Sequence, residues 1–223
     1  MMYRCEATTA TGFVQQLACG YLQHGYHWYV LGELPDKKDP LDIDARFIER
    51  YGLGITRWDR ARRKRAGLAN VQYIRYRRFF VLCATQGEHR FYEEHTRQQI
   101  RHIKDRPISF AGYSIGYHRG VDRKWHVSVR IHPRRYRSIK AHLLDLSTKR
   151  NVDSLRSEFE SLKFEPYAPV RRQLIALLRG VNRERKTKGW APVPFETLRL
   201  RRQIVRPFGF DESKQNNQSE EAA

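Results

Sequence analysis

The chain has 223 residues, of which 40% are hydrophobic and 12% aromatic, enough to build one main packed core. Its 43 Lys and Arg residues outnumber its 24 Asp and Glu residues and give a formal net charge of +19. This excess predicts an anionic partner, and the lack of an apolar run of roughly 20 residues argues against a membrane protein.

Cysteine usage and the N-terminal sequence bear on location. Cys5, Cys19 and Cys83 are widely spaced, so neither a disulfide scaffold nor a cysteine-based zinc site is indicated. Residues 1–12 lack the apolar core of a secretory signal. We therefore expect a reducing, cytoplasmic location.

The N-terminal part of the chain predicts two helices around a strand. Apolar residues recur at helical spacing over residues 9–24, and Gly25 ends that helix. Residues 26–34 are aromatic and β-branched over the length of a strand. Asp39-Pro40 then provides a cap and a first-turn proline for a helix that reaches Gly52.

A helix made almost entirely of cations comes next. Thr56, with Asp59 three residues later, resembles a capping box, and Gly67 provides the stop. Acidic residues do not alternate with the cations, as they would on a salt-bridged surface helix, so we interpret this face as a grip for phosphates. Its cations are Arg57, Arg60, Arg62, Arg63, Lys64 and Arg65.

Residues 71–85 are too many for one typical strand, and a tight turn near residues 76–78 would divide them into two. The apolar run over residues 79–84 predicts a central strand covered on both faces. Exposed tyrosines beside arginines are able to stack on bases while the guanidinium groups bind phosphates. The contacts predicted here are Tyr73, Arg75, Tyr76, Arg77 and Arg78.

The second half of the chain predicts further strands and helices. A moderately helical polar stretch covers residues 93–103, and strands follow at 108–117 and 125–131. Apolar and polar residues alternate in the second strand, which leaves Arg130 on its outer side. Helices are predicted at 133–146, 151–162 and 170–186, and the last carries a second basic face. The arginines placed on that face are Arg171, Arg172, Arg179, Arg183 and Arg185.

These elements predict an α+β fold, with a mainly antiparallel sheet, packed helices and a basic C-terminal helical segment. We expect the α+β core over residues 1–165 and the basic segment over 166–208. The polar, acidic residues 209–223 are expected to form a disordered tail.

One polar stretch is a candidate metal site. Glu88, His89 and His95 could bind a divalent cation if a turn gathers them, and a solvated polar loop is the alternative. The histidines of the chain lack the spacing typical of helical metal sites. The sequence therefore assigns no metal, and we expect no cofactor.

Two residues at the head of the helix after the last strand suggest catalysis. Tyr136 and Lys140 are similar to the nucleophile motif of HUH-type rolling-circle initiators and related transposases. The resemblance implies that Tyr136 attacks a DNA phosphate and that Lys140 assists. The histidine pair that holds the metal in that family is absent, and a core role for Tyr136 is the alternative. His126 is a further catalytic candidate.

A strand followed by two helices, over residues 126–162, also resembles the ribbon-helix-helix DNA-binding proteins. The resemblance implies that Ser128 and Arg130 read the major groove from a dimeric ribbon. Pairing of this strand with the preceding one in a larger sheet is the alternative.

The sequence therefore favours a nucleic-acid-binding protein that grips phosphates through arginine-rich helices, with aromatic stacking as an additional contact. A nuclease or transesterase acting on DNA or RNA is one alternative, and a structural ribonucleoprotein component is another. Protein partners in a nucleoprotein complex are compatible with each. The choice between DNA and RNA, and the oligomeric state, stay open at this point.

Overall fold

The computed structural model describes residues 3–120 and 122–209. Two antiparallel sheets with packed helices confirm the predicted α+β class. The chain divides into two compact units, the first running to His102 and resuming from Val205, the second comprising Ile103–Ile204. This division differs from the boundary predicted near residue 165. The predicted tail lies outside the described residues except for Gly209.

The sheet of the first unit has four strands. They are β1 (Trp28–Glu33), β2 (Val71–Tyr76), β3 (Phe79–Ala84) and β4 (Arg101–His102), in the order β2-β3-β1-β4. Neighbouring strands run antiparallel. Residues 71–85 contain two strands joined by a tight turn, as predicted. The apolar second strand, β3, lies between β2 and β1 in the sheet. Arg77 in that turn has a positive φ of 55°, as hairpin turns of this kind require.

The helices of the first unit are α1 (Ala10–Gln15), α2 (Pro40–Tyr51), α3 (Arg57–Arg65) and α4 (Arg90–Glu94). A π-helical turn at Gln16–Tyr21 and a 3₁₀ turn at Leu22–His24 extend α1 over the predicted length. Asp39 caps α2 by accepting a hydrogen bond from the Leu41 N–H at 2.9 Å. The helix expected over residues 93–103 is wrong, because Arg101 and His102 pair with β1 instead.

The two faces of this sheet are covered by different helices. Tyr51 and Leu53 pack with Tyr73 and Leu82 on one face, and Phe47 of α2 packs against the same cluster. On the other face, the buried Phe13 ring of α1 meets Phe79 of β3 edge to face, with centroids 5.7 Å apart. Because successive side chains of β2 and β3 point to opposite faces of the sheet, these strands contribute core residues on both faces.

The second unit contains the sheet β5-β6-β7, formed by β5 (Ile108–Phe110), β6 (Tyr113–Arg119) and β7 (Trp125–Ile131). The strand predicted over 108–117 is broken by a turn at Ala111 and Gly112, whose φ angles are 46° and 79°. Helices α5 (Pro133–Ser147), α6 (Asp153–Ser161) and α7 (Ala168–Thr187) follow, and a 3₁₀ turn covers Phe195–Thr197.

Helix α7 is tied to the edge of this sheet. Its apolar stripe, including Leu174 and Val181, is buried as predicted. The Gln173 side chain accepts a hydrogen bond from the Ile131 N–H at 2.8 Å and donates one to the Ile131 carbonyl at 3.2 Å. A side-chain amide thus pairs with the end of β7 as a neighbouring strand would. No helix in the described part of the chain has the length and apolarity to cross a membrane.

Candidate nucleic-acid interface

The cationic helix α3 begins with the expected cap. The Thr56 hydroxyl accepts a hydrogen bond from the Asp59 N–H at 3.1 Å and donates one to the Asp59 carboxylate at 2.7 Å. The bond from Thr56 lowers the pKa of Asp59. This reciprocal pair fixes the first turn, so the cations that follow are carried on a rigid helix.

Two of the six cations hold α3 on the rest of the unit. Arg60 donates to the Ile55 carbonyl at 2.8 Å, and Arg63 donates to the Ala69 carbonyl at 3.1 Å. The Asn70 side chain in turn donates to the Arg60 carbonyl at 3.0 Å. Arg60 and Arg63 are half-buried, so they orient the helix rather than present their charge to a ligand.

The remaining cations face outward together with a tryptophan. Successive helical residues lie about 100° apart, which puts the outward residues in an arc of about 160°. All of them are exposed, and they are Arg57, Trp58, Ala61, Arg62, Lys64 and Arg65. The Trp58 side chain is 79% exposed. This face of α3 therefore places one large exposed indole beside four cations.

Carboxylates do little to neutralise this surface. Arg62 lies 3.3 Å from Asp59, and the two side chains are 78% and 39% exposed. For Arg57, Lys64 and Arg65, the described residues provide no hydrogen-bond or ion-pair partner. Like charges repel one another on one helix face, so a bound polyanion would relieve repulsion that the chain itself leaves uncompensated.

Arg75 and Tyr73 do not belong to the interface, contrary to the prediction. Arg75 is 3% exposed, with Nε 2.7 Å from Asp44 Oδ2 and Nη1 2.8 Å from Glu6 Oε1. Tyr73 is fully buried and donates to the Asp44 carboxylate at 2.7 Å. Burial and this bond raise the pKa of Tyr73. Both side chains are internal, so neither reaches a phosphate or a base.

The turn between β2 and β3 is a separate basic feature. Arg78 is engaged with the loop over residues 34–38, where it donates to the carbonyls of Leu34, Pro35 and Lys38. Arg77 is exposed and lies over the half-buried Tyr76 ring at 5.5 Å. The six residues of β2 span about 20 Å, so this turn stands well away from the Asn70 end of the strand, where α3 is attached.

The second unit carries its own basic helix face. The four predicted contacts on α7 are exposed: Arg171, Arg172, Arg179 and Arg183. Arg185 is not on that face, because it is 1% exposed and donates to the carbonyls of Lys149, Arg150 and Ala191. Arg185 therefore holds the end of α7 against the chain that follows α5.

The resemblance to ribbon-helix-helix proteins does not extend to how the strand is paired. β7 pairs with β6 of its own chain over the whole strand. Ser128 is buried and its hydroxyl accepts a hydrogen bond from Arg130 Nε at 3.0 Å. Arg130 itself is exposed, so it stays a candidate phosphate contact while Ser128 does not.

The catalytic candidates are not assembled into one site. Tyr136 is half-buried, and burial raises its pKa, which disfavours the phenolate of a nucleophile. Lys140 is exposed one helical turn away. His126 pairs instead with Asp122, its Nε2 lying 2.9 Å from the carboxylate. No contact among the described residues joins His126 to Tyr136 or Lys140.

The candidate metal ligands have other roles. His89 caps α4, where its Nδ1 accepts a hydrogen bond from the Phe91 N–H at 3.0 Å. His95 Nε2 lies 3.2 Å from the Tyr51 hydroxyl, and both imidazoles stack on the Tyr51 ring. Glu88 contributes its backbone carbonyl to Ala69. Within the described residues there is no cluster of three or more side chains suited to holding a metal.

Trp58 is the site residue that sequence reasoning missed. It is the one large apolar residue of α3, and this is the signal that could have found it. A nine-residue helix with one large apolar residue has no stripe to bury, so that residue is left on the outside.

No protein-family model, curated protein or solved structure gives a significant match to this chain.

Proposed function

We propose that this protein binds nucleic acid, and that the outward face of α3 is its principal grip. Arg57, Arg62, Lys64 and Arg65 contact backbone phosphates, and Trp58 stacks on an unpaired base. The observation that carries the proposal is the placement of an almost fully exposed indole among cations that no carboxylate of the described chain neutralises, apart from the surface contact of Arg62 with Asp59.

A single-stranded segment suits this face better than a regular duplex. Bases in a duplex are stacked on one another and give a tryptophan side chain no open ring face. A strand with unpaired bases offers both a phosphate chain and free bases to one short helix. The arginines of α7 provide a second phosphate-binding surface in the other unit.

Binding without cleavage is the activity proposed here. The residues that would support a nuclease, Tyr136, Lys140 and His126, are not gathered at one place.

Cys5 and Cys83 are buried thiols rather than halves of disulfides, which supports the predicted cytoplasmic location. Assembly with protein partners in a nucleoprotein particle is compatible with this proposal.

The test compares two charge-matched quadruple variants by fluorescence anisotropy on labelled single strands and duplexes of DNA and RNA. One variant changes Arg57, Arg62, Lys64 and Arg65 to Gln. The control changes four exposed cations elsewhere in the same unit to Gln: Lys37, Lys38, Arg46 and Arg97. We expect the first variant to lose affinity by about tenfold or more, and the control by no more than about threefold.

Equal losses in the two variants would overturn the proposal, because binding would then follow net charge rather than this surface. Loss in neither would also overturn it. Incubation of the same labelled strands with magnesium or manganese checks for cleavage, and intact strands are the expected result.

A further inference from the structure

A groove in the second unit has the size and lining of a small-molecule site. It has a volume of about 600 Å³ and lies between α5, α6 and the turn that joins β5 to β6. Pockets that hold small ligands measure roughly 300 to 1,000 Å³. None of the four outward cations of α3 lines this groove, so it is separate from the proposed interface.

One wall of the groove is a single side of α5. Arg135, Ser138 and His142 recur at positions i, i+3 and i+7 and therefore lie in one row. The buried residues Ile139 and Leu143 form the floor beneath them. Arg135 and Ser138 are exposed, and the described residues offer neither side chain a partner. This wall thus presents a guanidinium and a hydroxyl above an apolar base.

The opposite wall comes from the end of α6 and the residues after it. Lys163 is exposed there without an ion-pair partner in the described chain. The only carboxylate lining the groove, Glu158, is paired with His142 across it at 3.2 Å. The two cations, Arg135 and Lys163, outnumber this one carboxylate, so the groove has a net positive charge and favours an anion. A guanidinium together with an ammonium is a typical pairing for phosphate.

An aromatic ring closes one end. Phe164 is half-buried and is held by Tyr113, which meets it edge to face with centroids 5.3 Å apart. The turn residue Gly112 has a φ of 79°, and a side chain on it would come within 3.3 Å of the Phe164 ring. Glycine therefore suits both the turn and the close approach of this ring, which stays at the groove wall.

We propose that this groove binds a nucleotide, with the phosphate held by Arg135 and Lys163 and the base lying against Phe164 and the apolar floor. The required chemistry is a phosphate monoester joined to a planar aromatic group. A free nucleoside monophosphate and the 5′-phosphorylated terminal nucleotide of a strand both provide it. The inference is independent of the α3 surface and would stand if that surface bound nothing.

Isothermal titration calorimetry on the full chain tests this with adenosine 5′-monophosphate, adenosine and inorganic phosphate. We expect the monophosphate to bind, and each of its two parts to bind about tenfold more weakly or worse. A short oligonucleotide with and without a 5′-phosphate distinguishes the two sources, because only a strand-end site prefers the phosphorylated oligonucleotide over the free monophosphate.

Variants locate the binding. The double variant Arg135→Gln and Lys163→Gln should weaken binding of the monophosphate by about tenfold or more, and Phe164→Leu should weaken it by about threefold or more. A charge-matched control, Arg137→Gln with Lys149→Gln, changes exposed cations of the same unit outside the groove and should have an effect below about twofold. Absence of binding by both phosphorylated probes overturns the proposal. Equal losses in the two double variants, or phosphate binding as tightly as the monophosphate, also overturn it.

Discussion

Arg75 of β2 and Asp44 of α2 form a buried ion pair, with Nε 2.7 Å from Oδ2 and side-chain exposures of 3% and 7%. Glu6 contacts the outer edge of the same guanidinium. Burial opposes the charge on Arg75, but the bonds to the two carboxylates outweigh it and raise its pKa. The pair joins a helix, a strand and the N-terminal segment at one point beneath the sheet.

Removal of the Asp44 carboxylate should destabilise the protein strongly. Asp44→Ala leaves the Arg75 charge buried with Glu6 alone and takes away the acceptor of the Tyr73 hydroxyl. We expect the free energy of unfolding to fall by about 3 to 5 kcal/mol, as measured by urea denaturation. Asp42→Ala, on the exposed side of α2, is the control and should change it by less than about 1 kcal/mol. Similar effects of the two substitutions would contradict the role given to the buried pair.

Arg185 should be equally important for the second unit. Its guanidinium reaches the Ala191 carbonyl at 2.6 Å and the Lys149 and Arg150 carbonyls at 2.9 and 3.0 Å. Arg185→Ala leaves these acceptors without their donor, and we expect a loss of about 3 kcal/mol or more in unfolding free energy. Arg185→Lys should restore only part of it, because an ammonium cannot reproduce the planar fork. If Arg185→Lys kept the full unfolding free energy of the wild type, a positive charge at residue 185 would be enough and the planar fork would not be needed.

Stability should fall at acidic pH in part through His89. Burial, and then the charge of Arg63, lower the pKa of His89 from its ordinary 6.5. The folded protein therefore binds this proton less readily than the unfolded chain. The stability that the neutral imidazole contributes is fully present above about pH 6.5 and is lost as the pH falls through the folded-state pKa.

His89→Asn isolates this contribution, because asparagine is also a good N-cap for α4 but does not titrate. We expect the unfolding free energy of the wild type to fall relative to that of the variant as the pH is lowered from about 6.5. His95, whose pKa is also lowered by burial, remains in both proteins and so does not affect the difference. A difference that does not vary with pH would refute the assignment to His89.

Much of the local structure could be predicted because its causes lie close together in the sequence. Thr56 and Asp59, three residues apart, fix the start of α3, and Asp39 does the same for α2. The apolar stripe of α7 and the apolar run of β3 likewise predicted most of the residues that are buried there. Capping and periodicity are properties of short segments, and a single sequence contains them.

The errors have causes that are remote in the sequence. Arg75 was assigned to the surface because its partners Asp44 and Glu6 are 31 and 69 residues away. Arg185 was assigned to the outer face of α7 because two of its three acceptors lie 35 and 36 residues earlier. The turn at Ala111 was missed because alanine seldom adopts a positive φ. Local pattern reports how charged a segment is, but not which charges find partners.

Trp58 should contribute to binding and very little to folding. Because its side chain is almost fully exposed, Trp58→Ala should change the unfolding free energy by less than about 0.5 kcal/mol. The same substitution should weaken single-strand binding by about 1 to 3 kcal/mol, the usual contribution of one stacked base. Trp58→Phe keeps a smaller ring and should lose less binding affinity than Trp58→Ala. Unchanged affinity in both variants would exclude stacking by Trp58.

The salt dependence of single-strand binding tests the central claim most directly, because it counts the phosphates that are neutralised. Each phosphate contact contributes about 0.7 to the slope of log affinity against log salt concentration. If Arg57, Arg62, Lys64 and Arg65 each contact a phosphate, changing all four to Gln should reduce the slope by about 3, and the charge-matched control should leave it unchanged. An identical slope for the wild type and the α3 variant would contradict the account.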